Sequence, residues 1–228
     1  MKLNKVLALA LSGVMAVSML AGCSGNSGNG GQNGEGEGEQ VPATGVSANV
    51  GNLIKADLDE DVNIDFVTFA DDNDLDNALD YTMGKVDVVE ALRGYMAFGT
   101  LQELKADDTV YATMIDRVEA TDGTWVSNIG DITVKTDGDG AKAVRVYAIS
   151  DAISEEVVEE YVAEDLMADI PGYKHYDDSG DNWYYDYTVS VSMSSKTVNT
   201  SSIMGTGATD PTITFVAVQV VREARTQD

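Results

Sequence analysis

From Trp183 to Met193 every odd position is apolar or aromatic, and nearly every even one is polar. A period of two predicts a β-strand with one buried face and one wet face. Thr212 to Val221 is more continuously apolar and predicts a last strand, central in its sheet. Val62-Asn63-Ile64-Asp65-Phe66-Val67-Thr68-Phe69 has strand composition, with Val62, Ile64 and Phe66 on one face. Ile132–Lys135 and Ala143–Ile149 flank Asp137-Gly138-Asp139-Gly140, a turn whose glycines supply positive φ, so a hairpin is expected there.

Elsewhere the period changes to that of a helix. Leu75, Leu79, Met83, Val86 and Val89 recur at helical spacing, continuing through Leu92 and Met96. Gly84, Gly94 and Gly99 each cost that helix about 1 kcal/mol, which predicts a break before Lys105. Thr109 to Val118 fits both periods; Val110, Met114 and Val118 favour a helix. Ser154 is suited to cap a helix reaching about Asp169, with Glu155 and Glu156 in its first turn. Its stripe joins Ile153, Val157 and Tyr161 to Val158, Val162, Leu166 and Ile170, and Pro171-Gly172 ends it. These elements predict an α+β domain: an antiparallel sheet of about five strands with helices packed on one face.

The N-terminal pattern is of another kind. Lys2 and Lys5 precede an apolar run from Val6 to Leu20, and Leu20-Ala21-Gly22-Cys23 closes it. A membrane-spanning helix needs about 20 apolar residues, whereas this run is shorter and is interrupted by Ser12, Gly13 and Ser18. The stretch resembles a bacterial lipoprotein signal peptide with its lipobox. That resemblance implies removal of residues 1–22, lipidation of Cys23 on its sulfur, and an address on the extracytoplasmic side of the cell membrane. Residues 23–45 then form the lipidated cysteine and a Gly/Asn/Glu tether with too little apolar surface to fold. The 22 residues from Ser24 to Gly45 have a root-mean-square span of roughly 26 Å. Residues 46–228 remain for a single domain.

Charge narrows the partners. The chain carries a net −25, and losing Lys2 and Lys5 takes it to −27. A field of that sign argues against nucleic acid and against direct docking on anionic lipid. Cys23 is the sole cysteine, so no disulfide can form and core packing must hold the domain.

Candidate chemistry is sparse. His175 is the only histidine, and no HExxH, GxSxG or Walker pattern occurs, so no catalytic residue is assigned and an enzyme is not expected. Asp57, Asp59, Asp61, Asn63 and Asp65, and again Asp72, Asp74, Asp76 and Asp80, place oxygens at alternate positions as calcium loops do. Neither run has the Gly and Glu that an EF-hand needs at its sixth and twelfth positions. Asp72, Asp74 and Asp76 are the better Ca2+ candidates, against the plainer role of solvated surface and helix capping. The segment from Tyr173 to Tyr187 mixes aromatic rings with carboxylates, a combination suited to carbohydrate. Trp183, Tyr185 and Tyr187 share the buried face of their strand, which leaves Tyr173, His175, Tyr176, Asp178 and Tyr184 as candidate ligand-binding residues. The expected function is a membrane-anchored binding or interaction module at the cell envelope, with a protein or glycan partner. The alternatives are a calcium-stabilised structural lipoprotein, a solute-binding component and a carboxylate-based hydrolase.

Overall fold

Phe215 to Val220 is buried on both faces, and it lies in the middle strand, Thr212–Thr226, of a five-stranded sheet. The computed structural model describes residues 45–59, 61–85, 100–119, 129–133, 140–150, 153–176, 183–197 and 212–226. Expectations for the signal peptide, Cys23, the tether, the end of the Leu75–Met96 stripe and the Asp137–Gly140 turn lie outside them. In chain order the elements are α1 (Val46–Asp57), β1 (Val67–Phe69), α2 (Asn73–Lys85), β2 (Gln102–Glu103), α3 (Thr109–Glu119), β3 (Ala141–Ser150), α4 (Glu155–Asp169), β4 (Trp183–Thr197) and β5 (Thr212–Thr226). Short 3-10 turns cover Ile129–Thr133 and Ile170–Gly172.

The strand order is β1-β4-β5-β3-β2. β4 and β5 pair antiparallel along their whole length, from Trp183 opposite Thr226 to Thr197 opposite Thr212. β3 runs antiparallel to β5 on the other side, and β2 antiparallel to β3. The one parallel pair sets Val67 opposite Tyr187 and Phe69 opposite Val189. The expected α+β domain with an antiparallel sheet of about five strands is the observed one, save that the β1–β4 pair is parallel.

Helix packing goes one face further than the periodicity indicated. Val50 and Ile54 of α1 and Val158, Val162 and Leu166 of α4 pack with Tyr187, Val189, Val191, Val216, Val218 and Val220 on one face. Leu75 and Leu79 of α2 and Val110, Met114 and Val118 of α3 meet Val144, Val146, Phe215 and Ala217 on the other. β5 therefore tolerates apolar residues at odd and even positions alike, as a strand covered on both sides does.

Three local expectations change with that packing. The even face of β4 is not wet throughout: Ser190 and Ser192 are buried, because α2 covers that end of the strand. Of Val62–Phe69 only Val67–Phe69 are extended, and the buried residues are Val67 and Phe69 instead of the half-buried Val62, Ile64 and Phe66. Ile132 lies in a 3-10 turn and not in a hairpin strand; β3 takes β5 and β2 as its partners. Ile132 is apolar because it enters the core beside α4's face of the sheet.

Caps fix where the helices begin. Asp72 Oδ1 accepts the backbone N–H of Asp74 at 2.8 Å, and Asp108 Oδ1 accepts that of Val110 at 2.8 Å. Ser154 does precede α4, but its hydroxyl makes no capping bond. α1 is held by a distant residue: the Ser47 N–H donates to Asp71 Oδ1 at 3.2 Å. The Ser47 hydroxyl then accepts from the Val191 N–H at 2.9 Å and donates to the Val191 carbonyl at 3.3 Å. It does for Val191 what a neighbouring strand residue would do. One turn later Gly51 lies so close to the Phe69 ring that a methyl group there would overlap it.

Glu159 faces the same junction from α4. It is 5 % exposed, and its Oε1 accepts from Asn49 Nδ2 at 2.9 Å. Burial raises its pKa; the Asn49 hydrogen bond opposes this, and Glu155 and Glu156 add to the rise.

Two outcomes are expected from this junction. Gly51→Ala forces α1 away from Phe69 and should cost about 1–3 kcal/mol in urea unfolding; unchanged stability would mean that the contact is not tight. Glu159 favours folding in its neutral form. That contribution is complete below its ordinary value of 4.5 and is lost as pH rises through the higher folded-state pKa. Glu159→Gln should therefore gain Tm relative to the parent as pH rises from 4 to 8, and a constant difference would refute the assignment.

Candidate functional site

α4 ends in the 3-10 turn at Ile170–Gly172, where Pro171 cannot continue the helical hydrogen bonding. The Tyr173 N–H closes the turn on the Ile170 carbonyl at 2.9 Å. The next residues run beside the start of β4. Tyr185 donates its N–H to the His175 carbonyl at 2.8 Å, and Tyr176 bridges to Tyr184. Tyr187 pins the segment from below, its hydroxyl donating to the Lys174 carbonyl at 3.0 Å.

This path gathers rings from three parts of the chain. His175 stacks on Phe66 with centroids 4.9 Å apart, and meets Tyr184 edge-on at 5.4 Å. Tyr184 lies 5.1 Å from Tyr176 in a tilted arrangement. Tyr176 is 38 % exposed, one of two large apolar residues that reach solvent to this degree among the described residues. The row Phe66–His175–Tyr184–Tyr176 thus runs from half-buried to open.

A charged pair borders the rings. Arg225 Nε lies 2.7 Å from Asp186 Oδ2, its Nη2 lies 3.3 Å from Oδ1, and its guanidinium sits 5.9 Å from the Tyr184 centroid. Both partners are largely exposed, so the pair adds little to stability. Its hydrogen-bonding capacity is available to a ligand. His175 Nδ1 is 3.0 Å from the Tyr185 carbonyl. A carbonyl only accepts, so Nδ1 carries the proton and Nε2 is the acceptor of the neutral ring. Together these groups can stack on a flat apolar face and exchange hydrogen bonds at its rim.

Of the residues expected here, His175, Tyr176 and Tyr184 come together. Tyr173 does not join them: it is buried, stacked on Tyr187 at 4.6 Å, and burial pushes its hydroxyl well above the usual phenol range. Asp178 lies outside the described residues. Phe66, Asp186 and Arg225 belong to the site without having been singled out. Asp186 was legible as a polar position of β4, but Phe66 and Arg225 reach it only through the β1–β4 and β4–β5 pairings.

The acidic run at Asp72 resolves differently. Asp72 spends one oxygen capping α2, and its Oδ2 accepts from Gln219 Nε2 at 2.7 Å. Asp74 and Asp76 are exposed in the first turn of α2, where negative charge is favourable. Among the described residues no group of three Asp, Glu, His or Cys side chains converges to hold a metal ion.

A second polar cluster ties β3 to α4. Arg145 Nη1 bonds Asp165, and lies 2.9 Å from Asp169 Oδ2. The Tyr147 hydroxyl donates to Asp165. Burial works against the Arg145 charge, but Tyr147, Asp169 and Asp165 outweigh it and the net shift is upward. These groups bind one another across β3 and α4 and act as a structural tie.

No protein-family model, no curated protein and no solved structure matches this chain.

Asp72→Ala should remove a cap worth about 1 kcal/mol and strand the buried Gln219 amide, worth about 1–3 kcal/mol more. Asp72→Asn retains a capping oxygen and should lose less. Chemical unfolding of both variants checks this, and equal losses would count against the cap.

Proposed function

We propose that this protein is a binding module held at the extracytoplasmic face of a bacterial membrane by lipid on Cys23. On this reading it acts by capture and not by catalysis, and its ligand is an envelope carbohydrate. The observation that carries the proposal is the ring row Phe66–His175–Tyr184–Tyr176, open at Tyr176 and bordered by Asp186 and Arg225. Aromatic faces supply large contact area at little entropic cost, and a carboxylate beside a guanidinium can exchange hydrogen bonds with hydroxyl groups. The rigid support matters equally. His175 is bonded to β4 through both its carbonyl and its ring, so binding need not order the loop first. The resemblance of residues 1–23 to a lipoprotein signal supports the address, and a tether spanning roughly 26 Å keeps the site near the membrane.

The test uses the full-length chain in mild detergent against an array of cell-wall oligosaccharides. Specific retention is expected, with the Tyr176→Ala/Tyr184→Ala double variant at least about tenfold weaker, because interface tyrosines often carry more than 1 kcal/mol each. The melting temperature of that variant should stay near the parent's. Retention of no oligosaccharide, or equal binding by the variant, would turn the assignment toward a protein partner.

A further inference from the structure

The outer edge of β4 is occupied residue by residue from its start. Tyr185 donates its N–H to the His175 carbonyl, and Tyr187 donates to that of Phe66. The Val189 carbonyl accepts from Ala70, and Val191 exchanges both its groups with the Ser47 hydroxyl. Odd residues of β4 thus turn their backbone groups away from β5, as alternate residues of an antiparallel strand do. Continuing that alternation, Met193, Ser195 and Thr197 present N–H and C=O outward. No partner for these groups occurs among the described residues, although β5 pairs with β4 as far as Thr197.

Beside this open edge lies a cleft of about 150 Å³, lined by Ile153, Glu155, Val158, Met193, Ser195 and Thr214. The Ser195 and Thr214 hydroxyls bond each other at 2.8 Å, so the floor is already satisfied, and Ile153, Val158 and Met193 supply apolar walls. Glu155 is the charged group on the rim, in a chain of net charge −25. A lysine on an edge strand ordinarily repels added strands. Here the one lysine of that stretch, Lys196, is folded back, its Nζ donating to the Met83 carbonyl of α2 at 2.8 Å.

We propose that the Met193–Thr197 edge is a strand-addition site for an extended segment of a partner protein, with an apolar side chain in the cleft and a basic residue facing Glu155. The main chain supplies hydrogen bonds and the cleft selects the side chain, the usual division of labour in β-augmentation. The basic residue follows from charge complementarity with Glu155 and the acidic surface around it. This site sits at the end of β4 remote from Tyr184, so it is separate from the ring row.

The test uses the full-length chain in mild detergent and a fluorescein-labelled nonapeptide of alternating threonine and leucine ending in lysine. Binding is expected with a dissociation constant of about 10–100 μM. In the free protein the amides of Met193, Ser195 and Thr197 should exchange fast while those of Tyr187 and Val191 are protected; the peptide should slow the first three. N-methylation of alternate peptide amides should abolish binding. Ser195→Pro, which removes an outward N–H and the hydroxyl bond to Thr214 but no backbone bond of the β4–β5 ladder, should weaken binding at least tenfold. Glu155→Lys inverts the charge on the cleft rim at some cost in helix-terminus stability and should reverse the preference toward a peptide ending in glutamate, a readout that remains should the proline variant misfold. Equal binding by the N-methylated peptide, or indifference to Glu155→Lys, would overturn the proposal. So would protection of the three amides without peptide, whether by this chain or by a second copy.

Discussion

Fifteen residues of β4 pair with fifteen of β5, and β1 and β3 are laid directly against that ladder, with β2 outside β3. Its register is set by what each face must bury. A slip of one residue would turn Tyr185, Tyr187, Val189 and Val191 away from α1 and α4 and expose Ser190 and Ser192 to an apolar layer. β5 resists slippage from both sides at once, because Phe215 and Ala217 serve one core while Val216, Val218 and Val220 serve the other. The long antiparallel pair is thus the reference against which the helices, the ring row and the edge are placed.

The free side of β4 explains most of the remaining architecture. A strand edge exposes unpaired backbone groups, and this chain covers that edge with unrelated pieces instead of one long strand. His175, Phe66, β1, Ala70 and the Ser47 side chain each satisfy a short length of it. The consequence is functional. The piece at the start of β4 brings His175 and Tyr176 onto Tyr184, and among the described residues the coverage stops after Val191. One constraint, the saturation of backbone groups, thereby shapes both surfaces argued above.

Charge is distributed by the same economy. Arg222 is buried, donating to the Ile132 carbonyl at 2.8 Å with its guanidinium 4.6 Å from the Tyr185 ring. Arg145 is held by Asp165 and Asp169, and Lys196 by the last turn of α2. The chain has few cations and uses several of them internally, and its net charge of −25 keeps the outward field acidic. Such a field favours basic partners at short range and keeps anionic surfaces at a distance.

Local chemistry was legible residue by residue. The period of two in Trp183–Met193, the central character of Thr212–Val221, the helical spacing of Val110, Met114 and Val118 and the capping role of Asp72 are each written in neighbouring residues, because they depend on contacts a few positions apart. The mixture of rings and carboxylates from Tyr173 to Tyr187 marked Tyr173, His175, Tyr176, Asp178 and Tyr184 as candidates, of which His175, Tyr176 and Tyr184 come together. What sequence spacing could not decide depends on pairing across long separations. Helices on both faces, the 3-10 turn at Ile132, the burial of Tyr173 on Tyr187 and the arrival of Phe66 and Arg225 at the ring row follow from which strands become neighbours. By itself the sequence determined most of the elements, the net acidic charge and the ring-bearing segment; the tertiary structure alone decided which rings stay open and where, among the described residues, the edge of β4 is left unpaired. The physical reason is that periodicity records whether a residue is buried, and only strand order records against what.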